Sequence, residues 1–299
     1  MKTIRFLTIG NSFAENALTY LADIAASSGK VQLEVGRANL GGCSLEKHWN
    51  LAVYTAQQSA FKTYQIGKAV DGSPCMVTLQ EALAAQPWDY VTLQQVSWRS
   101  PRRESFQPHL DHLCGLVHRL APQAQRLLHQ TWAYRSDSTY LPENGLTQDL
   151  MFERIRENYL HYSEALNCRV IPAGAAVQRA SRAEGRTFVW PDPAFDYQHV
   201  RAPDLPDQAH SLAVGWHWAI TNTPEGIPEL RNDPNHLNAA GCYLIGCVWF
   251  ECLTGLSIHE TSFAPVGMDR DTVAFFRTVA HDTVATPAFY ERFTPSAGR

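Results

Sequence analysis

Three residues distant in the chain are of the types that together activate a hydroxyl: Ser12 in Ile9-Gly10-Asn11-Ser12-Phe13, and Asp233 and His236 in Asp233-Pro234-Asn235-His236-Leu237-Asn238. A serine becomes a nucleophile when a base takes its proton, and a histidine serves as that base when a carboxylate fixes its tautomer. The step from Asp233 to His236 suits a turn. Pro234 fixes its own φ and biases Asp233 toward extended backbone, so the carboxylate can return to the imidazole. Ser12 is expected at a strand-to-helix junction, where its backbone N–H can hold a developing oxyanion. Ser12 and Glu15 also match the Ser-x-x-Glu capping box, so each half of the set has an ordinary structural use.

Two further segments bear on the same chemistry. Asn39-Leu40-Gly41-Gly42-Cys43-Ser44 places two glycines where the backbone can approach a ligand closely and offer an N–H. Leu93-Gln94-Gln95-Val96-Ser97 puts side-chain amides where a buried strand would otherwise close with apolar residues. Successive strand side chains point to opposite faces, so one of Gln94 and Gln95, not both, can reach a common point.

Positioning such residues requires a sheet. Short apolar runs at Thr3–Ile9, Val31–Ala38, Trp88–Leu93, Gln125–Thr131 and Cys168–Ile171 read as strands. Helical patterns lie between and after them, at about 14–28, 44–68, 75–86, 105–121, 147–166, 173–183, 239–254 and 270–284. This alternation predicts repeated β-α units and a parallel sheet, whose ligands bind beyond the carboxyl ends of the strands. Asn238 and Gly255 bracket the helix after His236 as N-cap and C′ residues. The stretch from about 187 to 235 has neither clean periodicity. Its content of Trp190, Phe195, Tyr197, Trp216 and Trp218 predicts a long loop packed over the active-site edge of a single domain spanning 1–299, with a frayed end from Thr294 to Arg299.

The composition excludes other classes. With 25 Lys+Arg against 29 Asp+Glu the formal charge is −4, which disfavours a nucleic-acid partner, and 45% hydrophobic residues exclude disorder. The seven cysteines are odd in number and scattered, as reduced core residues are. The N-terminal apolar run is interrupted by Arg5 and too short for a secretory segment, so a cytoplasmic protein with no membrane partner is expected. No metal or cofactor is expected: His109 and His112 lack a companion carboxylate, and Cys242, Cys247 and Cys252 are spread around a helix.

Taken jointly, Gly10-Asn11-Ser12, Gly41-Gly42, the amides after the third strand and Asp233-x-x-His236 resemble the four blocks of the SGNH (GDSL-type) hydrolases. The resemblance is closest to a branch catalogued only as a domain of unknown function, through Gly10-Asn11-Ser12-Phe13, Gly41 to Trp49, Asp89 to Gln95, Gln130-Thr131-Trp132-Ala133-Tyr134 and Leu253-Thr254-Gly255. It implies a three-layer α/β/α sandwich with a five-stranded parallel sheet in the order 2-1-3-4-5. It further implies Ser12 as nucleophile, His236 as general base, Asp233 as its orienting carboxylate, and an oxyanion hole of the Ser12 and Gly42 N–H groups with Gln94 or Gln95. The superfamily's Gly-x-Asn-Asp after the third strand is absent here. The implied reaction is ester hydrolysis through an acyl-enzyme, on a small-molecule or oligosaccharide ester. Trp98, Trp132, Tyr134, Trp216 and Trp218 are expected to rim the site, since flat aromatic faces suit sugar rings, and because the branch resembles acetyl esterases acting on carbohydrates, the resemblance implies a carbohydrate O-acetyl esterase. Arg99, Arg102 and Arg103 either pair with an acidic sugar or form a solvated cluster. Alternatives are a lipid or thioester hydrolase of the same fold, an inert saccharide-binding relative, and a flavodoxin-like protein whose Thr8 to Ser12 loop cradles a phosphate, which leaves Asp233 and His236 without a role.

Overall fold

The computed structural model describes residues 1–68, 74–220 and 226–285, so the expectation for Thr294–Arg299 lies outside the described residues. Along the chain run β1 (Lys2–Gly10), α1 (Ser12–Leu18), α2 (Leu21–Ser27), β2 (Val31–Asn39), α3 (Leu45–Gln57), β3 (Tyr64–Lys68), β4 (Pro74–Val77), α4 (Leu79–Ala84), β5 (Tyr90–Leu93), α5 (His109–Leu120), β6 (Gln125–His129), α6 (Tyr140–Glu143), α7 (Gln148–Leu166), β7 (Arg169–Ile171), α8 (Ala173–Ser181), β8 (Ala213–Ile220), β9 (Pro228–Leu237), α9 (Ala239–Thr254) and α10 (Arg270–Ala285). The central sheet is parallel throughout, in the order β2-β1-β5-β6-β7. Counted along the chain these five strands lie 2-1-3-4-5, the expected order. The strand order reverses between β1 and β5, so the ends of these two strands flank the crevice where such sheets bind ligands.

β1 is apolar on both faces because both are covered, as in any central parallel strand. On one face Phe6 meets Trp249 of α9; on the other, Leu7 and Trp88 press on Gly36 of β2 so closely that a Cβ there would lie 2.5 Å from the Trp88 ring. α9 is buried along nearly its whole length, which is why its sequence is apolar all round. Asn238 caps its start through the Gly241 N–H, and Gly255 ends it with φ 71°, both as expected. The cysteines are free, and all but the half-buried Cys75 are buried.

The structure differs from the sequence expectations in three places. The helix expected over 14–28 is broken into α1 and α2 at Thr19–Tyr20, where Tyr20 turns its ring against Tyr243 and Phe263. The helices expected over 44–68 and 75–86 give up their facing ends to an antiparallel pair, β3 and β4. Buried His48 of α3 bonds the Tyr64 hydroxyl at 2.9 Å and the Gly10 carbonyl at 3.0 Å, drawing β3 toward the sheet. Thr78 and Glu81 form a reciprocal capping box that delays the start of α4. Finally, the long loop expected over 187–235 folds in its second half into the antiparallel hairpin of β8 and β9. Alternation of Gly215, Trp216, His217 and Trp218 is the strand signal, obscured in the sequence by the polar composition around it.

Candidate active site

The site is assembled where β1 ends. Asn11 turns the chain in extended conformation and caps α1, its Oδ1 accepting the Phe13 N–H at 3.1 Å. Capping therefore falls to Asn11, one residue before the Ser12 of the capping-box reading, and the Ser12 hydroxyl is left for another partner. Asn11 is itself clamped: its Nδ2 donates to the Cys43 carbonyl at 3.0 Å, and its Oδ1 also accepts from Gln94 Nε2 at 2.8 Å.

Ser12 Oγ lies 2.8 Å from His236 Nε2, and His236 Nδ1 lies 2.8 Å from Asp233 Oδ2. The fold thus closes a contact between residues 224 apart in sequence. An ionised carboxylate only accepts, so the Nδ1 proton faces Asp233 and Nε2 is the lone pair presented to the serine. The other carboxylate oxygen, Oδ1, accepts the N–H groups of Asn235 at 3.2 Å and His236 at 3.0 Å, which closes the turn expected from Pro234. These residues stand at the end of β9, where the sequence suggested a loop. The hydrogen bond to Asp233 raises the His236 pKa above 6.5, against the opposing effect of burial. Half-burial pushes Asp233 up, but the His236 bond and charge and the two backbone donors outweigh it and leave its pKa below 3.8.

Among the described residues neither the Ser12 nor the Gly42 N–H is given to an acceptor within the protein. Gly42 has φ 60°, the left-handed conformation that glycine adopts without strain. The two glutamines differ sharply. Gln95 is fully buried, donates both amide hydrogens to Ser105, at 2.7 Å to its carbonyl and 3.3 Å to its hydroxyl, and accepts the Leu45 and Val96 N–H groups. Gln95 therefore holds the start of α3 and is no oxyanion donor. Gln94 accepts from His129 Nδ1 at 3.0 Å and donates one amide hydrogen to Asn11. It braces the residue before Ser12 and retains a second N–H.

The family profile described as a domain of unknown function, DUF4886, matches residues 5–189. The chain belongs to this DUF4886 family. A DUF4886 family protein from Bacteroides uniformis ATCC 8492 is similar over 96% of both chains, with 25% identity and a TM-score of 0.68. The lipase/acylhydrolase from Enterococcus faecalis is 11% identical, with a TM-score of 0.47, over 84% of this chain and 96% of that one. A member of the lipolytic protein G-D-S-L family from Veillonella parvula DSM 2008 is 12% identical, with a TM-score of 0.46, over 85% of this chain and 100% of that one. No curated protein matches the sequence. The matched DUF4886 segment contains Ser12, Gly42 and Gln94 but stops before Asp233 and His236, which only the fold brings back to it.

The aromatic residues expected to rim the site of this DUF4886 chain separate into two groups. Trp98 is 42% exposed and flanks Gly42 so closely that a Cβ there would lie 3.3 Å from its ring. It lines an open groove of about 450 Å³ that starts at Gly42 and includes Lys47 and Asn50. The other four have structural contacts. Trp132 is buried, stacks on Phe13 with ring centroids 3.9 Å apart, and donates its indole N–H to the Asn235 carbonyl at 2.8 Å. Tyr134 is buried against Ser97, at 2.7 Å between hydroxyls. Trp216 and Trp218 occupy the face of β8 opposite to that of Gly215, which pairs with Asp233. They hold the preceding segment instead: Trp216 stacks on Trp190 and Trp218 donates to the Asp204 carbonyl. The arginines after β5 are also engaged by protein, Arg99 with Glu46, Arg102 with Asn144 and Arg103 with Asn158. Among the described residues no cluster of His, Cys, Asp and Glu is arranged to hold a metal ion, and no helix is long and apolar enough to cross a membrane. Sequence reasoning passed over Asn11, whose side chain caps α1; an Asn immediately before a helix-starting serine was the available signal.

Proposed function

We propose that the chain is a serine hydrolase that cleaves an ester through an acyl-enzyme, and that its substrate is an O-acetylated carbohydrate. The observation that carries the reading is the unbroken chain from Ser12 Oγ through His236 to Asp233, at 2.8 Å in both links. His236 Nε2 takes the serine proton as Oγ attacks the ester carbonyl. The Ser12 and Gly42 N–H groups, with the remaining N–H of Gln94 as third donor, stabilise the oxyanion. Collapse expels the alcohol, which receives the proton from His236, and water then attacks the acyl-serine by the reverse route to release the acid. Gln94 is one methylene longer than the asparagine of the wider superfamily, and this suits an amide that starts earlier on the strand.

The carbohydrate reading rests on the groove beside Gly42. It combines one exposed indole face with Lys47 and Asn50, the mixture of flat apolar surface and hydrogen-bonding groups that a sugar ring matches. Replacement Ser12→Ala should lower aryl acetate hydrolysis by about 10⁴ to 10⁶. A variant retaining wild-type turnover sinks the mechanism. Trp98→Ala should raise KM for an acetylated disaccharide about two- to tenfold with kcat nearly unchanged. Faster hydrolysis of octanoyl than acetyl esters would move the assignment to a lipid substrate.

A further inference from the structure

Behind the Asp233–His236 turn lies a buried ion pair that the chemistry above does not use. The Arg135 side chain is 5% exposed and that of Asp137 not at all, and they meet in a two-pronged contact, Nε to Oδ1 at 2.7 Å and Nη2 to Oδ2 at 2.6 Å. Both belong to the segment after β6. The remaining capacity of the pair is directed at the hairpin that carries the triad's second half and at the segment that leads into it. Asn232, the residue before Asp233, accepts from Arg135 Nη2 at 3.1 Å and donates to Asp137 Oδ2 at 3.0 Å. Trp216, opposite Asn232 in the hairpin, donates to the same Oδ2 at 3.0 Å. Arg135 Nη1 donates to Gln208 and Ser211, and the guanidinium lies 4.1 Å over the Phe188 ring. The Arg135 backbone N–H reaches the Pro234 carbonyl at 3.0 Å, inside the turn itself.

Resting on the reading that Ser12 and His236 are the catalytic couple, we infer that Arg135 and Asp137 are positioning residues: a buried latch that fixes the β8–β9 hairpin so that Asp233 and His236 stand over Ser12. Adjacent strand residues point to opposite faces, so pinning Asn232 to the pair turns Asp233 toward His236. A buried ion pair adds little net stability and instead specifies one arrangement, because its charges are satisfied in that geometry only. A planar guanidinium is required, since lysine offers neither the fork nor the stack on Phe188. Gly215 belongs to the device. Its φ is 68°, and a Cβ there would lie 2.3 Å from Arg135 Nη1, so the hairpin's irregular point is also where the arginine passes.

The test compares the full chain with Arg135→Met, Arg135→Lys and Asn232→Ala, reading kcat and KM on an aryl acetate, the His236 titration by NMR, and the melting temperature. Arg135→Met is expected to lower kcat about 10²-fold with KM little changed, as a small misplacement of reacting groups does. Asn232→Ala follows in the same direction, Arg135→Lys gives no rescue, and the His236 pKa falls toward 6.5 in each. Should Arg135→Met fail to fold, Asn232→Ala, which removes only the tie from the pair to the hairpin, decides the matter. Variants with a lowered melting temperature but wild-type kcat and His236 titration overturn the latch. A wild-type chain inert on esters, whose His236 titration still shifts in the variants, defeats the esterase reading and leaves the latch standing; an active chain insensitive to the variants does the reverse.

Discussion

His236 and Asp233 bind protons differently in the folded chain than free in water, and the signs are opposite. The proposed mechanism needs neutral His236, so kcat/KM should rise with pH and level off above the raised imidazole pKa, beyond 6.5. Asp233→Asn should shift that rise toward 6.5 and lower turnover by about 10⁴, because the tautomer is no longer fixed; an unmoved profile means that another group titrates. Ser12, Asp233 and His236 were legible because each stands at an informative place, after a strand, across a proline turn and before a capped helix. Gln94 and Gln95 were not separable by type, since adjacent identical amides differ only in which face they enter. Their contacts separate them: Gln94 supports Asn11, and Gln95 supports α3. Gln94→Leu leaves Asn11 Oδ1 and His129 Nδ1 each short of a buried partner. It should cost about 1–3 kcal/mol in urea unfolding and also reduce kcat. A loss of stability with kcat intact would exclude Gln94 from the oxyanion hole.

At the scale of elements, the parallel sheet was readable because the central strands β1, β5 and β6 end in buried runs, while β2, at the sheet edge, alternates Val31, Leu33 and Val35 with Gln32 and Glu34. The hairpins β3–β4 and β8–β9 were not. Both lie at the periphery, where tertiary contacts replace hydrophobic period as the determinant: His48 reaching Tyr64 in one case, Asn232 and Trp216 reaching Asp137 in the other. The aromatic residues of the second hairpin were misassigned to the site for the same reason, because Trp216 and Trp218 share the face turned from Asp233. The turn between β2 and α3 offers an element-level test. Gly42 holds φ 60°, and an added methyl group would press on the Trp98 ring at 3.3 Å. Gly42→Ala should therefore cost about 1–2 kcal/mol and displace the proposed oxyanion donor, lowering kcat more than tenfold. If the variant turns over as the wild type does, the Gly42 N–H does not face the reacting carbonyl.

The whole molecule ties its site to its core through two histidines that the proposed chemistry leaves aside. His48 links the end of β1 to β3 through the Gly10 carbonyl and the Tyr64 hydroxyl, and His129 supports Gln94 while packing edge-on to Trp249 of α9. Both are fully buried, and burial lowers their pKa values, to about 4 for His48 and about 3 for His129. The unfolded chain protonates both near 6.5, so their contribution to stability is complete above that pH and is lost as pH falls from 6.5 toward 4 and 3. His236 cannot offset this loss. Its raised pKa adds stability only as pH falls to 6.5, and that gain is already complete there. Each buried histidine should remove about 2 kcal/mol between pH 7 and pH 5, roughly 4 kcal/mol for the two. Urea unfolding at the two pH values measures the difference. The midpoint should fall in advance of the carboxylate range, and the proposed hydrolase activity should be lost in the same transition because Asn11, Gln94 and Ser12 stand on these supports. Equal stability at pH 7 and pH 5 would show that His48 and His129 take up protons in the folded chain, and the neutral core assigned to them would be wrong.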